Sequence, residues 1–169
     1  GEVSADGDAL LDHLEVAAPS ITELYAEREY GKALREIMLL ADRVNAYVDQ
    51  NKPWELAKKE GMEGRLHDVC TTCIEAFRLL TLYLKPILPK LAQRAEEFLS
   101  VAPLKWGDAG HLLPPAHPIN PYEHLMTRIE GKQVEALLAA NRESLVAVPA
   151  IQPEPHSQQR HAEHQQHAA

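Results

Sequence analysis

Four groups of side chains in this sequence invite a chemical reading. Cys70-Thr-Thr-Cys73 has the spacing of a metal-ligating or redox pair. Zinc requires two further ligands, and the nearest imidazole, His67, sits on the same predicted helix. A thioredoxin-like dithiol requires a βαβ setting, which the pattern lacks. Both cysteines fall in an apolar stripe, so packing as small hydrophobes is the preferred reading. The tail histidines His156, His161, His164 and His167 lie among Gln, Pro and Ala, and read as a solvated linker. Glu96-Glu97 reads as a solvated helix surface. No nucleophile elbow, phosphate-binding loop or HExxH motif occurs.

Trp54 is the fourth case. It follows Pro53 in the turn between two long predicted helices. Two readings stand open. The indole plugs the end of a bundle, or it is an exposed plate on which a flat ligand stacks, with Pro53 stiffening the plate through its fixed torsion. Base–aromatic stacking is worth about 1–3 kcal/mol per base. Trp106 lies in a Pro-rich stretch and reads as packing.

The elements that must position these residues are helical. Residues 1–7 read as frayed and 8–18 as a helix, interrupted at Pro19-Ser20 and resumed through Ile21, Leu24 and Tyr25. A second long helix covers about 30–49, with Leu34, Ile37, Met38, Ala41, Val44 and Val48 in a stripe. Pro53 opens a short helix that stops near Gly61. A third long helix covers about 63–84, and Pro86 and Pro89 separate it from a helix through Leu99. Five prolines between 101 and 121 exclude helix there. An extended connection is expected, with a possible hairpin pairing Leu104–Trp106 with Leu112-Leu113. A helix follows over about 132–142. From Pro149 the chain lacks large apolar residues apart from Ile151 and reads as disordered. The expected architecture is all-α: an antiparallel helical bundle over 1–100, a Pro-rich returning segment and linker helix over 101–146, and a loose tail over 147–169.

Composition bounds the function. The 169 residues are 45% apolar and 25% charged, an ordinary globular balance. No apolar run is long enough for a transmembrane helix, and no signal peptide is evident, which points to the cytoplasm. The chain begins with Gly, so it reads as processed or cut from something longer. Of the net charge of −8, residues 1–30 carry −7 (eight acids against Arg28), residues 31–100 carry +1 and residues 101–169 carry −2. Bulk phosphate neutralisation is therefore unavailable. RNA recognition would rest on a few aligned bases and an aromatic plate.

The segment Asn45-Ala-Tyr-Val-Asp-Gln-Asn-Lys-Pro-Trp-Glu-Leu-Ala-Lys58 resembles the anticodon-binding domain of the methionyl-tRNA synthetases of bacterial type. So do Arg28–Met38, Phe77–Lys90, His117–Ile129 and Lys132–Leu138, in order, over about residues 20–142. The Pro-Trp pair recurs in related class I synthetases, which keeps another member of that class as a weaker alternative. The Arg128-Ile129 and Lys132–Leu138 stretch narrows the resemblance to the methionine enzymes. The resemblance implies a helical bundle of the class I anticodon-binding type that reads the CAU anticodon of initiator and elongator tRNA(Met). It places Pro53 and Trp54 under the first anticodon base. By proximity alone, Asn45, Asn51, Lys52 and Lys58 are candidates for contacts to backbone or bases. The family's Asn and Arg pair, one turn apart on the first helix of the domain, has no match here. The catalytic HIGH-like and KMSKS signatures are also absent.

The resemblance further implies a parent enzyme that uses ATP, Mg and zinc to attach methionine to tRNA(Met), with no cofactor held by this chain. The parent's catalytic domain would be a partner. A C-terminal OB-type domain, which dimerises many bacterial members, would lie beyond the tail. A reading from another class makes the piece a structural brace for the catalytic domain, with no binding of its own.

Overall fold

The computed structural model describes residues 4–126 and 129–146. Proline and apolar periodicity set the helix ends. α1 (Ala5–Val16) and α2 (Ala18–Ala26) meet at Ala17, and Pro19 occupies the first turn of α2, where its missing N–H costs nothing. α1 starts three residues earlier than the apolar pattern suggests, and Ala5–Gly7 are helical rather than frayed. A contact at Asp6, described below, holds that first turn. α3 (Tyr30–Asn51), α4 (Pro53–Leu56), α5 (Glu63–Leu84) and α6 (Pro89–Leu99) follow. Gly61, at φ 76°, makes the turn before α5.

Contacts at the helix ends fix the directions. The Tyr83 hydroxyl near the end of α5 donates to the Leu14 carbonyl near the end of α1 at 2.9 Å, so these two helices run parallel. α3, joined to α5 through the short α4, runs the opposite way. α5 is the centre of the unit and packs against α1, α3, α4 and α6. Its fully buried side includes Val69, Thr72, Ala76, Leu79 and Tyr83, which meet Leu10, Leu14, Ile21 and Ile37. Burial pushes the Tyr83 phenol up to about 12.

The stripe on α3 is rotated from the sequence expectation. Ala33, Ile37, Leu40 and Tyr47 are buried, whereas Met38 is exposed. Apolar residues at 37–41 cover more than half of the helix circumference, so periodicity alone leaves the inward direction open. Packing of α3 against α2 and α5 settles it.

The Pro-rich segment after α6 is a strap stitched to α5 and α6. Buried Glu96 accepts from Lys85 Nζ at 2.5 Å and from the Leu104 N–H at 2.7 Å. Glu96 is thus a buried anchor, and the solvated reading holds only for its exposed neighbour Glu97. Buried Glu75 accepts from Arg78 Nε at 2.8 Å and from the Leu113 N–H at 2.6 Å. Arg78 in turn donates to the Asp108 carbonyl at 2.8 Å. Asn120 donates to the Glu97 carbonyl and Arg94 to those of His124 and Leu125. The hairpin expected between Leu104–Trp106 and Leu112-Leu113 does not form. A 3-10 turn at Trp106–Asp108, closed by the Lys105 N–H on Asp108 Oδ2 at 2.8 Å, satisfies the local backbone instead. Trp106 packs as expected, on Tyr25 and Tyr83, with its indole N–H on Thr22 Oγ1.

The described residues divide into two units, 4–126 and 129–146. In the second, α7 (Gly131–Val146) extends the expected helix by a residue at the start and four at the end. Val134, Leu137 and Leu138 are exposed. The expected tail disorder and the tail histidines lie outside the described residues. Among the described residues no helix is long and apolar enough to cross a membrane.

Candidate nucleic-acid interface

The corner between α3 and α5 is built by an Asn-Lys-Pro sequence. The residue before a proline is disfavoured in the right-handed helical region, so α3 cannot continue through Lys52. Lys52 turns to the left-handed region instead, with φ 43° and ψ 64°. Its N–H still donates to the Val48 carbonyl at 2.8 Å, which closes α3. Its carbonyl accepts from the Glu55 N–H at 2.8 Å and the Leu56 N–H at 3.2 Å, which opens α4. Pro53 takes the first position of that helix. One strained residue thus serves as the end of one helix and the start of the next.

α4 is a single turn, and its two apolar side chains diverge. Leu56 packs against the core. Trp54 is 48% exposed. About half of the indole is therefore open to solvent. Pro53 beside it is half-buried.

Asn51 locks the corner. Its Nδ2 donates to the Tyr47 carbonyl at 3.0 Å, and its Oδ1 accepts from Arg65 Nη2 at 2.5 Å. Arg65, at the start of α5, also pairs with Asp6 at the start of α1, at 2.9 Å. The Arg65 guanidinium holds the Asp6 carboxyl well below the usual carboxylate range, and Asp6 in return raises Arg65. Three helix ends therefore meet at Asp6, Asn51 and Arg65. The Asn51 amide is engaged on both of its atoms in holding the turn that carries Trp54.

Asn45 is placed apart from this corner. It is exposed on α3, six residues before Asn51, which is about 9 Å along the axis and well around the helix. Lys52 is exposed beside Trp54, and Lys58 pairs with Glu55 at 3.0 Å. The structure thus groups Pro53, Trp54, Asn51 and Lys52 at one end of the bundle. Asp6 and Arg65 belong to that group and carried no signal in the sequence. They lie 59 positions apart, and neither stands in a motif.

The cysteines divide. Cys73 is half-buried against the core, in line with packing, but Cys70 is exposed beside the groove between α5 and the strap. Val69 and Thr72 take the inward positions next to it. Partial burial pushes both thiols up from their ordinary value. Among the described residues no three His, Cys, Asp or Glu side chains gather as a metal site.

No family model matches the chain. It is similar to the methionine–tRNA ligase of Polaromonas sp., with 62% identity over 92% of this chain and 21% of the relative. The enzyme of Aromatoleum aromaticum is 60% identical over 90% of this chain and 21% of the relative. In fold it resembles the Mycobacterium tuberculosis methionyl-tRNA synthetase in its free state, with a TM-score of 0.73 and 23% identity. That match covers 77% of this chain and 27% of the other. This all-α chain, which spans about a fifth of the length of the relatives it matches, belongs by sequence with one segment of the methionine–tRNA ligases.

Proposed function

We propose that the chain is the anticodon-recognition module of a cytoplasmic methionine–tRNA ligase. Trp54 supplies the plate for the first base of the CAU anticodon in initiator and elongator tRNA(Met), and Pro53 and Lys52 fix its orientation. The observation that carries this is a Trp 48% open to solvent on a helix of one turn, whose supporting corner is pinned by Asn51 and Arg65. A backbone turn pinned this way fixes where the ring is presented before the ligand arrives, which reduces the entropy cost of stacking. Lys52 places a positive charge beside the ring, where a phosphate of the bound loop would lie. In the whole enzyme, ATP, Mg and zinc belong to the rest of the protein, which attaches methionine to the tRNA.

The test is a fluorescence titration of the chain with a CAU anticodon stem-loop and with one altered at the first base. Preferential binding of CAU is the expected result. Equal binding of both loops refutes base recognition at Trp54.

A second reading, a brace for the catalytic domain, draws on the exposed apolar residues Leu112, Ile119 and Met126 along the strap. Absence of RNA binding by the chain would favour it over the first.

A further inference from the structure

We propose that Arg65 is a positioning residue for Trp54: together with Asp6 it clasps the neck of the excursion 52–64 and so sets where the indole is presented. This rests on the recognition reading above and adds to it two residues that act without touching RNA. α3 ends at Asn51 and α5 begins at Glu63. Both joints between them are left-handed, Lys52 at φ 43° and Gly61 at φ 76°. α4, carried between these joints, has no buried residue and is too short to persist on its own hydrogen bonds. Leu56 packs it against the core. One apolar contact fixes a point and leaves the direction of α4 to whatever ties the ends of the excursion together.

One side chain ties them. Arg65 Nη2 donates to Asn51 Oδ1 at 2.5 Å, across 14 positions, and closes the excursion at its base. The same nitrogen donates to Asp6 Oδ2 at 2.9 Å, and Nη1 donates to Asp6 Oδ1 at 3.4 Å. This two-pronged pairing restrains the plane of the guanidinium and links the neck to α1. Asn51 Nδ2 on the Tyr47 carbonyl keeps the Asn51 amide from turning over. Tying the ends of a loop removes conformations from it, so fewer remain to be lost when a ligand arrives.

The clasp is weak as a source of stability. The Arg65 and Asp6 side chains are 31% and 51% exposed, and pairs open to solvent add little to the fold. Loss of the clasp should therefore appear in the order of α4 and in RNA binding while Tm changes little.

The experiment uses the full 169-residue chain labelled with 15N-tryptophan, which gives backbone amide signals from Trp54 and Trp106. Trp54→Ala identifies the first. Arg65→Met keeps the stem and removes every donor. Asp6→Asn and the double variant Arg65→Met/Trp54→Ala accompany it, and Arg35→Met removes the same charge from an exposed position on α3 outside the corner.

In the free chain, Arg65→Met should lower the heteronuclear NOE of the Trp54 amide and leave that of Trp106 unchanged. Asp6→Asn should lower it by less, since Asn51 still holds Arg65. With the CAU stem-loop, Arg65→Met should weaken binding about fivefold, the size expected when a segment is ordered on binding rather than beforehand. The slope of log K against log salt should stay unchanged, and the loss should vanish in the Trp54→Ala background.

An unchanged Trp54 NOE in Arg65→Met overturns the clasp, and the plate stands if Trp54→Ala still weakens binding. A slope flattened by about 0.7, the value for one phosphate contact on a single strand, with the loss persisting in the Trp54→Ala background, makes Arg65 an RNA contact and overturns the positioning role. An equal loss of binding in Arg35→Met assigns the effect to net charge and overturns it as well. A Trp54→Ala chain that binds as the wild type overturns the plate, and the NOE then decides the clasp by itself.

Discussion

Trp54→Ala is the perturbation whose size follows most directly from the structure. A Trp side chain can bury up to about 250 Å², and at 48% exposure about 120 Å² of this one is open. A base stacked on one face covers about half of that, so about 60 Å² leaves water, worth about 1.5 kcal/mol at ~25 cal/mol per Å². That lies within the range for single base–aromatic stacks, and it corresponds to about a tenfold weaker Kd. Fold stability should change far less than for a core Trp, because α4 contributes no fully buried residue. The assay is fluorescence anisotropy of a dye-labelled CAU stem-loop, with circular dichroism confirming that helix content is kept. Trp54→Phe should fall between the wild type and Trp54→Ala, since a smaller ring retains part of the stack. A Trp54→Ala chain that is fully helical and binds within twofold of the wild type refutes the stacking argument.

Three further outcomes follow from the side chains that hold the corner and the strap. Glu75→Ala leaves Arg78, 2% exposed, as an unpaired buried charge, and should cost about 3–5 kcal/mol, read as a fall in the urea midpoint. Replacing both residues with Met and Leu should recover much of the loss, and equal loss in the single and double variants would contradict the ion-pair account. Asp6 is held below its unfolded pKa, so its pairing with Arg65 stabilises the fold above about pH 4 and this contribution is lost as pH falls further. Asp6 is half-exposed, so Asp6→Asn should cost at most about 1 kcal/mol at pH 7, and the difference from wild type should narrow by pH 3. Cys70 should react with a thiol reagent in the native chain faster than Cys73, and both should react slowly at pH 7 because burial raises them.

Much of this was legible in the residues. α5 begins at Glu63 and ends at Leu84 as its apolar spacing indicated, and Pro53 opens α4 as its missing N–H requires. These are local facts, set by backbone torsions and by short-range periodicity. The resemblance to the methionyl-tRNA synthetases was likewise legible, because it rests on residue identity along the chain.

What the sequence left open depends on directions in space. The outward face of Trp54 was undecided until α4 packed through Leu56. The inward face of α3 differs from the apolar pattern at Met38, because a broad apolar arc has no preferred side until a neighbour is placed. Cys70 and Glu96 exchanged the expected environments for the same reason: one residue of rotation on α5 exposes the thiol, and the return of the strap buries the carboxylate. The Asp6–Arg65–Asn51 corner joins three helix ends that are distant along the chain. The sequence by itself determined where helices start and stop and which family the chain resembles. Only the tertiary structure decided which side chains face one another, because that depends on how several helices pack together at once.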